Sequence, residues 1–138
     1  MPRVARDLIT ADPLTVAAAT PVLDVQHLLV LAHVTGMPVV EEDGRVIGIV
    51  RAIDVLRAMD QALDPDLDDG ETDDVFEPLR ALTARDIASV ELVWIDPSTP
   101  VADIAAQMRS SGVQRVLVGT AGKLDGLLTP YDLLGEIA

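Results

Sequence analysis

The sequence predicts a mixed α/β fold built twice, as two β-α-β-β-α motifs packed in a pseudo-two-fold pair. Three observations carry this. Ala5-Arg6-Asp7-Leu8 returns 79 positions later as Ala84-Arg85-Asp86-Ile87, and internal self-similarity marks a duplicated structural unit. The same offset aligns Thr20-Pro21-Val22 with Thr99-Pro100-Val101, Asp24 with Asp103, Val34 with Val113 and Val39 with Val118. It then becomes 78, aligning Gly44 with Gly122, Gly48 with Gly126, Asp54 with Asp132 and Leu56 with Leu134, so the lost residue falls between Val39 and Gly44, in a turn that tolerates it.

Each copy reads strand, helix, strand, strand, helix. Thr20 and Thr99 are predicted N-caps with proline at the first helical position, and Asp24 and Asp103 lie in the first turn, where the helix dipole favours them. Met37 to Val40 and Arg45 to Val50 are apolar runs joined by Glu41-Glu42-Asp43-Gly44, and Val116 to Val118 and Lys123 to Leu128 repeat the pattern around Gly122; both read as hairpins. Val55, Leu56, Met59 and Leu63, and again Leu133, Leu134 and Ile137, follow helical spacing. Residues 1–59 form the first motif and 81–138 the second. Between them, 60–80 is an acidic linker whose Asp64-Pro65-Asp66-Leu67-Asp68 resembles the start of a calcium loop. Gly70 is one place late there, and Val75 stands where a bidentate glutamate belongs.

Composition narrows the partners. With 138 residues, 49% hydrophobic and 24% charged, the chain is globular in character, and without cysteine it has no disulfide, thiolate metal site or thiol nucleophile. A formal charge of −13, from 23 acidic against 10 basic residues, repels nucleic acid and anionic membranes. Phe76, Trp94 and Tyr131 are the only aromatics, too few for a base-stacking platform. The opening has basic residues but no apolar signal core, and the longest apolar run, Leu28 to Ala32, is too short to cross a bilayer. A cytoplasmic protein without membrane or nucleic-acid partners is expected.

Arg6-Asp7-Leu8-Ile9-Thr10, Gly36-Met37-Pro38-Val39-Val40 and Gly48-Ile49-Val50-Arg51-Ala52-Ile53-Asp54, with Val113-Gln114-Arg115-Val116-Leu117-Val118 and Gly126-Leu127-Leu128-Thr129-Pro130-Tyr131-Asp132 in the second copy, resemble the CBS domain, named after cystathionine β-synthase. Two such motifs form a Bateman module, and the resemblance spans nearly the whole chain. It implies a regulatory module without a resident cofactor that binds AMP, ADP, ATP or S-adenosylmethionine in the cleft between motifs, as in energy sensing, and signals to a protein the sequence does not identify. The family's Gly-x-x-(Thr or Ser)-x-x-Asp segment assigns Asp132 to ribose hydroxyls and Thr129 to ribose or phosphate, with Arg115 toward the phosphates. A carboxylate suits a vicinal diol because each oxygen accepts one hydroxyl hydrogen, and guanidinium suits phosphate. The resemblance places the base near Thr10, Leu14, Val34 and Thr35. A second, weaker site uses Asp54 and Arg51 with Ser89, Val93, Val113 and Gln114; there Arg51 replaces the expected Thr or Ser, and Gly36 replaces the basic counterpart of Arg115.

The same residues have plainer readings. Thr129-Pro130-Tyr131-Asp132 is also a helix start of capping-box type, whereas Asp54 follows Arg51, which cannot cap. Arg115 in so acidic a chain also reads as one half of a surface ion pair. His27 and His33 lack the companions of a metal site, and Ser110 and Ser111 lack an activating base, so no metal site and no catalysis are expected. Val22, Val25, Leu28, Leu29, Val30, Leu31 and Ala32 make the first long helix apolar around most of its circumference, which predicts a homodimer through it. A ligand-free dimerisation or protein-interaction module and a magnesium-responsive module using the acidic linker are the alternatives.

Overall fold

The computed structural model describes residues 3–9, 13–63, 77–112, 115–120 and 123–134. The chain divides into two compact units, Leu14–Glu91 and Met1–Pro13 with Leu92–Ala138, here the central and the terminal unit. Each is a three-stranded sheet carrying helices, so the predicted mixed α/β class is observed in both copies.

In the central unit, strand β1 (Val16–Ala17) leads through helix α2 (Val22–Ala32) to β2 (Gly36–Val40), β3 (Val46–Arg51) and α3 (Ala52–Ala62). Strand β1 runs parallel to β2, with Val16 opposite Val39, and β2 runs antiparallel to β3, with Met37 opposite Val50. A parallel pair needs a crossover, and α2 supplies it. Met37, Val39 and Val50 from the sheet, Val22, Val25 and Leu29 from α2, and Val55 and Ala58 from α3 form one core. The turn between β2 and β3 closes through the Glu41 amide donating to Arg45 O at 2.9 Å. Gly44 sits there at φ +86, a conformation that favours glycine.

The terminal unit repeats this with β4 (Trp94–Ile95), α6 (Val101–Ser111), β5 (Val116–Thr120), β6 (Lys123–Leu128) and α7 (Pro130–Leu134). Trp94 pairs with Leu117 in parallel and Val116 with Leu128 antiparallel, around a core of Ile95, Ile104, Met108, Val116, Val118 and Leu128.

Three short helices add to the predicted elements: α1 (Ala5–Leu8), α4 (Glu77–Arg80) and α5 (Ala84–Ile87). The segment opening each repeat packs with the other repeat's sheet. In the terminal unit the Ala5 amide donates to Thr99 O at 2.9 Å and the Val101 amide to Arg3 O at 3.1 Å; in the central unit the Ala84 amide donates to Thr20 O at 2.8 Å and the Val22 amide to Leu82 O at 3.0 Å. These bonds correct the predicted caps. Pro21 and Pro100 are the N-cap residues, extended at ψ 145 and ψ 148 and without a side-chain cap bond. The carbonyls of Thr20 and Thr99 are engaged by the opening segments, so each helix starts one residue later than the threonines imply.

Farther along the central unit, β3 meets the chain after α5. Ile49 and Ser89 exchange both backbone hydrogen bonds, at 2.9 and 2.8 Å. A Cβ at Gly48 would lie 2.8 Å from Ser89 O, so only glycine admits this approach. Among the described residues, no helix is long and apolar enough to cross a membrane.

Candidate functional site

Four helices start on one device. The backbone amide preceding each helix donates to Oδ2 of the aspartate three residues on: Val4 to Asp7 at 2.9 Å, Arg51 to Asp54 at 2.8 Å, Thr83 to Asp86 at 2.8 Å and Thr129 to Asp132 at 2.8 Å. A carboxylate so placed holds an amide that has no intrahelical partner and complements the positive end of the helix. Asp54 therefore has the same structural reason to recur as Asp132. From the sequence that reason is weaker for Asp54, because an arginine side chain cannot cap, yet the bond is made by the backbone of Arg51, which any residue but proline supplies.

Beyond this shared bond the two aspartates differ. Asp132 is half-buried and also accepts the Thr129 hydroxyl on Oδ2 at 3.3 Å; its Oδ1 has no hydrogen bond among the described residues. Asp54 is only 7% exposed and is gripped from both sides. The Arg51 guanidinium donates from Nε to Oδ2 at 3.0 Å and from Nη2 to Oδ1 at 2.8 Å, with Arg57 Nη1 at 3.9 Å from Oδ1. Such a fork is the strongest geometry available to an arginine and a carboxylate. It raises the Arg51 pKa above its usual value, chiefly through the hydrogen bond to Asp54 and against the opposing effect of burial.

The ladders explain where the two arginines stand. Val116 faces Leu128, which brings half-buried Arg115, just before β5, to the level of Thr129, just after β6. In the central unit the corresponding rung pairs Gly36 with Arg51. Each unit thus carries one arginine at this rung, on opposite strands: in the terminal unit it is Arg115, in the central unit it is Arg51. The rung unites Arg115, Thr129 and Asp132 in one unit and Arg51 and Asp54 in the other.

The remaining candidates are distributed as follows. Leu14 is exposed, as are Val34 and Thr35 at the entry to β2, and the Thr35 carbonyl accepts the Ala52 amide at 2.9 Å, which ties it to the start of α3. Ser89 is half-buried and pairs with Ile49 as above. Val93 belongs to the terminal unit, where its carbonyl accepts the Leu117 amide at 2.9 Å. Thr10, Val113 and Gln114 lie outside the described residues, as does the stretch 64–76 on which the magnesium-responsive alternative rests. No group of three or more histidine, cysteine or acidic side chains fit to hold a metal occurs among the described residues.

A different surface was legible only in part. Val30 and Leu31 on α2 are 60% and 63% exposed, and Leu56 on α3 is 57% exposed. Between the two helices lies a groove of about 490 Å³ lined by Leu23, Val30, Val55, Leu56 and Met59 among others. The apolar girth of α2 announced this surface, whereas the share of α3 could not be read before the helices were seen side by side.

A duplicated α/β unit whose final helices each start on an aspartate, beside an arginine-bearing rung, defines a tandem module. The chain belongs to the CBS domain family: the CBS domain model matches residues 5–61 and 84–138. It is 33% identical over 127 residues to a 5'-AMP-activated protein kinase subunit gamma of Kluyveromyces lactis, covering 86% of this chain and 35% of that protein, so it spans about a third of that relative's length. Among solved structures, it resembles the CBS domain of a CBS domain containing membrane protein from Sphaerobacter thermophilus, with 28% identity and a TM-score of 0.78, covering 97% of this chain and 87% of that one. It is also similar to CBSX2 in complex with AMP, at 25% identity and a TM-score of 0.77, covering 98% and 96%.

Proposed function

We propose that this CBS pair is a non-catalytic cytoplasmic regulatory module that binds an adenine nucleotide, AMP, ADP, ATP or S-adenosylmethionine, and signals to a partner protein. The observation that carries the reading is the Asp132 carboxylate, anchored on Thr129 through Oδ2 alone. Among the described residues its second oxygen accepts no hydrogen bond, and Arg115 stands at the same rung as Thr129; in this reading the carboxylate takes the ribose hydroxyls and the guanidinium a phosphate. The likeness to an AMP complex at 25% identity supports the ligand class. In this reading Thr10, Leu14, Val34 and Thr35 contact the base. A second, weaker event uses Asp54 and Arg51 with Ser89, Val93, Val113 and Gln114. Ligand that prefers one arrangement of the protein shifts its population, and the partner responds to that shift.

Calorimetric titration with the four ligands tests this. Asp132→Ala is expected to remove the tight binding while the protein stays folded, and Arg115→Ala to weaken ATP more than adenosine. Loss of stability with unchanged affinity in Asp132→Ala would reduce the aspartate to a helix cap.

The apolar groove between α2 and α3 favours a second element of function, assembly as a homodimer through the central unit. Sedimentation at micromolar concentration is expected to show a dimer; a strict monomer would remove this element. A dimer that binds none of the four ligands would leave a protein-interaction module.

A further inference from the structure

The central unit contains a competitor for its own carboxylate. Both oxygens of Asp54 are occupied by the Arg51 fork at 2.8 and 3.0 Å, whereas the matching aspartate of the terminal unit is held by a threonine through one oxygen. A ligand hydroxyl pair that takes both oxygens of this buried carboxylate competes with a charge-assisted, bidentate partner that is tethered three residues away and so always present at high effective concentration. Displacement also sets an arginine free, and a guanidinium that has lost its carboxylate is best satisfied by another oxyanion that meets its fork with two oxygens, as a phosphate does.

We infer that Arg51 is the specificity-determining residue of the central unit: it excludes ligands that offer hydroxyls alone and admits those that also bring a phosphate. The inference rests on the reading that these aspartates receive ligand hydroxyls. The arginine acts as an intrachain gate, and the phosphate is the group that opens it. Thr83 and Thr129 show what stands at the equivalent place without a gate, since each donates its hydroxyl to the aspartate three residues on, at 3.1 and 3.3 Å. Arg51→Thr therefore installs a helix start the protein already uses.

The test isolates the central unit in an Asp132→Ala background and titrates adenosine and AMP with and without Arg51→Thr. The substitution is expected to tighten adenosine about tenfold, the equivalent of one charge-assisted hydrogen bond, and to leave AMP unchanged or weaker. Arg51→Lys keeps the charge without the fork and is expected to fall between, which guards against a poorly folded threonine variant. A structural role alone would move both ligands together. Equal changes for adenosine and AMP, or no gain for adenosine, would overturn the gate. The parallel titration in an Asp54→Ala background reads the Asp132 site by itself, so loss of binding there sinks the proposed tight site while leaving the gate standing.

Discussion

Helices α2 and α6 hold the same place in their units, and both end on a left-handed residue, His33 at φ 55 and Gly112 at φ 72. Their inner faces match: Val22, Val25 and Leu29 are buried on one, Ile104 and Met108 on the other. Their outer faces part company. Where α2 shows Val30 and Leu31 to solvent, α6 shows Arg109 and Ser110. The difference teaches that what the backbone and core require is held in common by the two repeats, while the solvent-facing positions of these helices are free to diverge. The aspartate at the start of each final helix belongs to the common frame; the residue three before it, arginine in one and threonine in the other, does not.

The largest expected effect tests the close approach of β3 and Ser89 in the central unit. Gly48→Ala places a methyl 2.8 Å from a backbone oxygen and should cost about 2 to 3 kcal/mol in denaturant unfolding, the range for overpacking against groups that cannot yield. A neutral result would mean that the two segments can part without loss. Next, giving α2 the outer face of α6 by Val30→Arg with Leu31→Ser should weaken the proposed dimerisation about a hundredfold, because charge and hydroxyl replace apolar surface at the centre of the proposed interface. An unchanged sedimentation profile would move the interface elsewhere.

A smaller change equalises the helix ends. A residue with a Cβ at φ 55 is strained where glycine is not, so His33→Gly should stabilise the protein in thermal or denaturant unfolding by less than about 1 kcal/mol, since glycine also adds freedom to the unfolded chain. Gly112→Ala should destabilise it by a similar amount. The smallest effect concerns Asp96, which accepts the Ser98 hydroxyl at 2.6 Å and the Ser98 amide at 2.9 Å and whose carboxyl is held below its usual range mainly by that hydroxyl. Its counterpart in the central unit is Ala17. A depressed folded pKa gives a contribution that is complete above the ordinary aspartate range and is lost as pH falls through the folded value. Asp96→Asn should therefore narrow the difference in stability between neutral and acid pH only slightly, the group being fully exposed.

Much of the molecule was legible before any fold was seen. The duplication, the order of strands and long helices, the turn at Gly44 and the apolar girth of α2 follow from periodicity and from residues with few conformational options. The neighbourhood of these residue types was legible: the ladders set Arg115 level with Thr129, three residues before Asp132, and Arg51 opposite Gly36, three residues before Asp54. The possession of Asp54 by Arg51 was not legible, because a fork of two hydrogen bonds depends on side-chain reach and burial that spacing does not encode.

By itself, then, the sequence determined the repeated α/β pattern, because the alternation of apolar runs, caps and turns is local physics. Only the tertiary structure decided which sheet each opening segment serves. Helices of four residues have no stability of their own, and α1 and α5 exist where distant backbone groups satisfy theirs. The bonds from Ala5 to Thr99 and from Ala84 to Thr20 join main-chain atoms far apart in the chain, and main-chain atoms, being the same in every residue, leave no signature in a sequence.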